Sequence, residues 1–305
     1  LLMLSNDNGG FMANRMKVIV AYDGSACADA ALDDLLRAGL PKDAQFQVLS
    51  VVEHWLPPPS ALEIVEHIGK DQEYQALANR AAIRLVEIEP SWEVKTEVAV
   101  GSPGRVIIEK SDHWKSDLIV IGSHGHTALG RFFLGSVSQK VLHDAHCSVR
   151  VARGRIEENE TPARLIIGVD GSSGAEAAVD AVIARAWPPG SEARVVNASR
   201  SAPPISSEYL AGQMVDWFIK EEKRINETVE AAVGRLNGSG LKTEAVIREE
   251  EPKKLLIGEA EKWGADCIFL GAKGMGRIER FLIGSVSSAV AARAHCSVEV
   301  VRAMK

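Results

Sequence analysis

The chain repeats itself once, and that repeat limits its fold more than any other feature. KVIVAYDG, from Lys17 to Gly24, returns as RLIIGVDG, from Arg164 to Gly171. DLIVIGSHGHTALGRFFLGSVS, from Asp117 to Ser138, returns as DCIFLGAKGMGRIERFLIGSVS, from Asp266 to Ser287. AHCSVRVAR at Ala145 to Arg153 and AHCSVEVVR at Ala294 to Arg302 close the two copies. Asp23 and Asp170 stand 147 positions apart, and Asp117 and Asp266 stand 149 apart, so the copies differ by a net two residues. A period of that length is a whole domain and not a solenoid unit. The 305 residues therefore divide into a tail or expression scar (1–15), a first domain (16–153), a polar, acidic linker (154–162) and a second domain (163–305). The Asn/Gly-rich tail lacks a basic segment followed by a long apolar one, so it is expected to be disordered and not a signal peptide.

Within each copy, short apolar runs alternate with longer segments of helical spacing. In the first copy, Val18 to Ala21, Phe46 to Val52, Trp92 to Val100, Leu118 to Gly122 and Ser148 to Ala152 read as strands. Helices are expected over Ser25 to Ala38, Ser60 to Glu89, Pro103 to Trp114 and Ser136 to Ala145. In the long one, Leu77, Ala81, Leu85 and Ile88 line one face, and Gly69 is expected to interrupt it. Strands alternating with helices imply right-handed βαβ crossovers. The fold class is therefore α/β: two tandem, doubly wound, Rossmann-like domains, each with a five-stranded parallel sheet.

The chemistry gathers after the fourth strand. Gly122, Gly125, Gly135 and Ser136 form G-x2-G-x9-G-S, and Gly271, Gly274, Gly284 and Ser285 repeat that spacing. Each set starts at a strand end and finishes at a helix start, where backbone N–H groups lack partners and the helix dipole is positive. Glycine lets the backbone approach an anion closely, so the loop reads as a phosphate cradle. Ordinary glycine turns and a serine N-cap explain a single such loop equally well. Recurrence in a diverged copy weighs toward phosphate. The dinucleotide fingerprint G-x-G-x-x-G and the loop G-x-x-x-x-G-K-[ST] are both absent, which argues against a nicotinamide dehydrogenase and a P-loop NTPase.

The order V-x-x-D-G-S, then G-x2-G-x9-G-S, then H-C-x-V resembles the universal stress protein family, twice, from Lys17 to about Arg302. The resemblance implies strand order 3-2-1-4-5 in each domain, with ATP or ADP, accompanied by magnesium, bound across strands one and four. That place is also where strand order reverses, the general position for ligands in such sheets. By resemblance, Asp23 and Asp170 lie near the ribose or a phosphate-bound metal, and Val51 and Ala198 near the adenine. The glycines and serines of the two loops hold phosphates. The alternative for either Asp is an Asx-turn, and for Val51 simple core packing. Lys273, Arg131 and Arg280 are candidates for screening phosphate charge. Glu279 for Gly130 and Glu250 for Gly101 favour the first site over the second. The family's frequent proline in the fifth strand is Ser148 and Ser297 here, a departure expected to touch an edge strand and not the pocket.

Other constellations are thin. His143, His146 and Cys147 form H-x-x-H-C, but Ala292 replaces the first histidine in the second copy, so no metal site is read. His124-x-His126 has no copy. Cys27 sits at a helix start where the second copy has Gly174. No nucleophile–base–orienter set is recognisable, and no catalytic residue is assigned. Ser123, Ser136 and Thr127 are the candidate acceptors should the protein phosphorylate itself.

A formal charge of −6 gives no nucleic-acid footprint. Four cysteines without a Cys-x-x-Cys pair suit a reducing, cytoplasmic setting. No apolar run approaches the ~18 residues needed to span a bilayer. Val149, Val151, Val298 and Val300 alternate along the fifth strands, which are expected to pair the two domains into an intrachain pseudo-dimer, with homodimerisation open. The reading is thus an ATP-binding stress or regulatory protein. Its rivals are a slow ATPase or self-phosphorylating enzyme in the same pocket, and a scaffold without nucleotide.

Overall fold

The computed structural model describes residues 15–53, 61–125, 134–153, 162–199, 208–274 and 283–303. Most of the expected tail and of the linker, and His126, Thr127, Gly130, Arg131, Met275, Gly276, Glu279 and Arg280, lie outside the described residues.

The first half runs β1 (Lys17–Ala21), α1 (Ala26–Leu35), β2 (Gln45–Val52), α2 (Ala61–Ile88), β3 (Glu93–Val100), α3 (Pro103–Trp114), β4 (Leu118–Gly122), α4 (Ser136–Asp144) and β5 (Ser148–Ala152). The second runs β6 (Arg164–Gly168), α5 (Ser173–Ile183), β7 (Glu192–Ser199), α6 (Glu208–Gly238), β8 (Lys242–Glu249), α7 (Pro252–Trp263), β9 (Cys267–Gly271), α8 (Ser285–Arg293) and β10 (Ser297–Val301). Local chemistry sets these bounds. Ser25 Oγ accepts from Ala28 N and Ser172 Oγ from Ala175 N, both at 3.2 Å, capping α1 and α5. Such a cap contributes about 1 kcal/mol. Proline opens α3 and α7, and Lys115 and Gly264, both left-handed, end them. Gly69 does not interrupt α2, which is continuous from Ala61 to Ile88. One internal glycine costs only about 1 kcal/mol, and the buried Ala78, Ala81 and Leu85 anchor the helix to the core.

Within each half the strands are parallel and ordered 3-2-1-4-5, and the halves join into one ten-stranded sheet, β3-β2-β1-β4-β5-β10-β9-β6-β7-β8. The join is the antiparallel pair β5–β10, with Val149 opposite Val300, Arg150 opposite Glu299 and Val151 opposite Val298. Strand alternation sends the four valines to one face. There α3, α4, α7 and α8 cover a single core that runs through both halves. On the other face α1 and α2 cover one core, and α5 and α6 cover another.

The fifth strands are therefore not free edges, and the two serines act differently from expectation. Ser297 Oγ donates to Asp34 at 2.6 Å and accepts from Arg153 N at 2.8 Å, while Ser148 Oγ accepts from Arg302 N at 3.2 Å. Both serines therefore hydrogen-bond across the seam, with Arg153 N and Arg302 N as the donors. Two arginines fasten the seam reciprocally. Arg153 donates to Ala291 O at 2.6 Å at the C-terminal end of α8, and Arg302 donates to Leu142 O at 2.6 Å in α4. A guanidinium at a helix C-terminus satisfies orphan carbonyls and complements the dipole.

Candidate functional site

The C-terminal ends of the central strands create the site twice. In each half the chain leaves the first strand through Asp-Gly-Ser. Gly24 (φ 78) and Gly171 (φ 81) adopt the left-handed conformation that this turn requires. Asp23 Oδ1 accepts from Ser25 N at 3.0 Å, and Asp170 Oδ1 from Ser172 N at 2.9 Å, so the Asx-turn anticipated as an alternative is present. The second carboxylate oxygen faces the loop after the fourth strand. A Cβ on Gly125 would lie 2.7 Å from Asp23 Oδ2, and one on Gly274 would lie 2.5 Å from Asp170 Oδ2. The aspartate and the loop glycine are thus brought together in both halves.

The loop then turns into a short helix. Gly135 N donates to Ser123 O at 2.9 Å, and Gly284 N to Ala272 O at 2.7 Å. These glycines are the N-caps of α4 and α8, and neither helix has a side-chain cap. Ser136 and Ser285 are exposed at the first helical position, one residue inside the cap. In the second half the open helix start lines the same cavity as the aspartate. Ser138 and Ser287 were missed from sequence. Their hydroxyls donate to Gly122 O at 2.8 Å and Gly271 O at 2.7 Å, tying each helix to its strand end.

Gly122 and Gly271 serve a packing role. A Cβ on Gly122 would stand 2.7 Å from the Cys27 carbonyl oxygen, and one on Gly271 would stand 2.5 Å from that of Gly174. Gly122 is buried there, whereas Gly271 also reaches the site. Val51 is partly buried against the shared core, as the core-packing alternative anticipated.

In the second half all six candidates, Asp170, Ala198, Gly271, Gly274, Gly284 and Ser285, line one cavity of about 940 Å³. It sits where strand order reverses, between β6 and β9. Val196, Ile247, Pro252 and Leu256 give it an apolar side, and Glu250 is not among the lining residues. The long helix α6 contributes Trp217, Phe218, Glu221 and Arg224. Arg224 pairs with Glu221 at 2.7 Å and donates to Asp170 O at 3.4 Å. Its hydrogen bonds to the Glu221 carboxylate raise its pKa, so it stays a cation. Lys273 supplies a second cation, and its carbonyl accepts from Ser172 Oγ at 3.2 Å.

The first site has a different chemistry. Burial, followed by the carboxylates of Glu73, Asp23 and Glu53, raises the Tyr74 phenol above its ordinary range, which marks Tyr74 of α2 as a neighbour of Asp23. Burial, then the Arg153 guanidinium, holds His124 below the usual imidazole range. His124 Nδ1 lies 3.1 Å from Ser123 Oγ. A neutral imidazole stands here where the second copy has Lys273. The side chains of H-x-x-H-C part ways: His146 meets Asp112 at 2.8 Å, and Cys147 lies buried beside Ser111 at 3.2 Å. Among the described residues no cluster of three metal-ligating side chains occurs, and no helix is long and apolar enough to cross a membrane.

Comparison with known proteins agrees with this architecture. The Universal stress protein family profile matches residues 14–153 and again 163–302. A universal stress protein of Mycobacterium tuberculosis is 27% identical over 293 residues, covering 93% of this chain and 96% of the relative. One from Methanocaldococcus jannaschii is 31% identical over 143 residues, 45% of this chain and 81% of the relative. Among solved structures, a universal stress protein from Archaeoglobus fulgidus superposes with a TM-score of 0.64 at 21% identity, covering 94% of this chain and 96% of that one.

Proposed function

This chain belongs to the universal stress protein family, and on that premise we propose that it is an ATP-binding regulatory protein whose output depends on nucleotide occupancy. The observation that carries the reading is the convergence of Asp170, Ala198, Gly271, Gly274, Gly284 and Ser285 on one cavity of about 940 Å³. Small-molecule sites span roughly 300–1,000 Å³, so the space suits a nucleoside triphosphate.

Each part of the ligand has a complementary region. Val196, Ala198, Ile247 and Leu256 offer an apolar slot for a base. Asp170 is the acceptor for ribose hydroxyls. The open start of α8, with Gly284 and Ser285, receives phosphate through main-chain N–H groups, and Lys273 and Arg224 offset its charge. Asp170 would alternatively be the protein carboxylate for magnesium carried on the phosphates, an ion that takes one or two carboxylates and otherwise keeps water and phosphate oxygens. In the first half Asp23, Gly125, Gly135 and Ser136 repeat the loop, with Val51 at the position of Ala198. The protein works in the cytoplasm, and nucleotide ordering of the loops stabilises the fold by mass action. A homodimer of chains whose seam is closed internally would use other surfaces.

Mass spectrometry of gently purified protein tests the reading. One or two ATP or ADP per chain is expected. An empty protein that shows no thermal shift with Mg·ATP would favour a scaffold, and labelled phosphate appearing in solution or on the protein would favour the enzyme.

A further inference from the structure

The seam between the halves carries a charge pattern that two identical partners cannot reproduce. Arg150 and Glu299 hold the same position in the two copies of AHCSV-x-V, and they face each other in the antiparallel register. They therefore sit on the local two-fold axis that relates the halves. If either half paired with a copy of itself, Arg150 would face Arg150, or Glu299 would face Glu299.

Both side chains are 1% exposed, so their partners decide the outcome. Among the described residues, Arg150 Nη1 has acceptors only from the second half: Glu299 Oε2 at 3.2 Å and Cys267 Sγ at 3.3 Å. The first-half counterparts of these residues are Arg150 itself and Leu118, neither of which accepts a hydrogen bond. The Arg150 Nε–Asp34 bond, at 2.5 Å, stays within the first half and does not discriminate. Glu299 is likewise held within its own half by Arg185. A pair of second halves would therefore bring two buried carboxylates together on the axis. It would also lose the Ser297–Asp34 bond of 2.6 Å, because Ala181 occupies the place of Asp34. The Arg37–Asp266 pair, at 2.8 Å, would be lost as well, with Ala184 in the place of Arg37. An unsatisfied buried donor or a buried like-charge pair is among the strongest penalties an interface can carry.

We propose that β5 of the first half is built to accept only a fifth strand with a carboxylate on the axis, which is the second half of this chain or of another copy, and that it rejects a copy of itself. The valines on the opposite face are common to every pairing and supply adhesion without selection. A dimer formed through this seam would then be a reciprocal exchange of halves between two chains and not a back-to-back pair of first halves.

The test begins from the intact folded protein with a protease site placed in the linker at 154–161. After cleavage, ordinary and ¹⁵N-labelled protein are mixed in sub-denaturing urea until the labels have scrambled between halves, and native mass spectrometry counts the pairs. Scrambled first–second pairs in at least tenfold excess over either self-pair are expected. Self-pairs near their statistical share would overturn the proposal. Glu299→Arg makes the true pair as repulsive on the axis as a first-half self-pair, so the excess should collapse; an unchanged excess would also overturn it. If the labels never scramble before the halves unfold, the uncleaved chain decides. Glu299→Arg should then melt at least 5 °C below Glu299→Leu, which removes the carboxylate shared by Arg150 and Arg185 without adding a cation, and equal melting would refute the selection.

Discussion

Replacing Gly271 by alanine tests how tightly the second site is built. Gly271 ends β9 against the first turn of α5, and a Cβ there would stand 2.5 Å from the Gly174 carbonyl oxygen and 2.7 Å from the Gly174 Cα. Ordinary contact begins at 3.4 Å, so strand end and helix start must separate by about 1 Å to restore normal van der Waals distances. Both neighbours are backbone, and no side chain can rotate away. Overpacking of this kind costs about 1–3 kcal/mol, and the rigid surroundings place it at the upper end. At roughly 2–4 °C per kcal/mol for a unit of this size, the melting temperature should fall by roughly 6–12 °C. The same displacement draws Lys273 and Gly274 away from Asp170, so Mg·ATP should also restore less of the lost stability. Gly234→Ala is the control. Gly234 lies in α6 with nothing within 4 Å of an added Cβ, and the change should stabilise by about 0.5–1 kcal/mol. Thermal unfolding of both variants, with and without nucleotide, reads the effect. Gly271→Ala melting within a degree of the parent, with a full nucleotide shift, would refute the packing argument.

Lys273→Ala should weaken ATP about ten- to a hundredfold, in line with the ~1.5–3 kcal/mol of charge-assisted hydrogen bonds, and leave adenosine nearly unaffected; equal losses by calorimetry would remove Lys273 from the phosphates. Arg224→Ala should act similarly and also free Glu221 from its pair. For His124, burial and then Arg153 lower the pKa, so NMR titration should find it less than half protonated at pH 6.5. A base lowered in the fold contributes stability that is fully present above its unfolded pKa of about 6.5 and is lost as pH falls from there through the lower folded value. A His124 midpoint at or above 6.5 would contradict this.

Much of the fold was legible because buried parallel strands leave continuous apolar runs and the intervening helices keep their spacing. Val18 to Ala21 and Leu118 to Gly122 could scarcely be read otherwise. Gly69 misled because local propensity was weighed without the anchoring of Ala78, Ala81 and Leu85 farther along α2. The pairing of the fifth strands showed in their alternating valines, but Arg150 and Glu299 did not stand out. Their complementarity appears only when the two copies are laid antiparallel. At the site, the aspartates and loop glycines could be found because they repeat at fixed spacing. Tyr74, Trp217 and Arg224 could not, since they lie on long helices that differ between the copies in length and face. Gly122 and Gly271 stand out in the sequence as glycines that let the backbone approach an anion, yet their closest neighbours are the backbones of Cys27 and Gly174.

Isothermal calorimetry of nucleotide-stripped protein with Mg·ATP is the most direct trial of the two loops as polyphosphate grips. Saturable heat is expected with one or two sites per chain, that of the second half abolished when Gly274 is replaced by valine. A flat titration into the millimolar range would contradict nucleotide binding altogether.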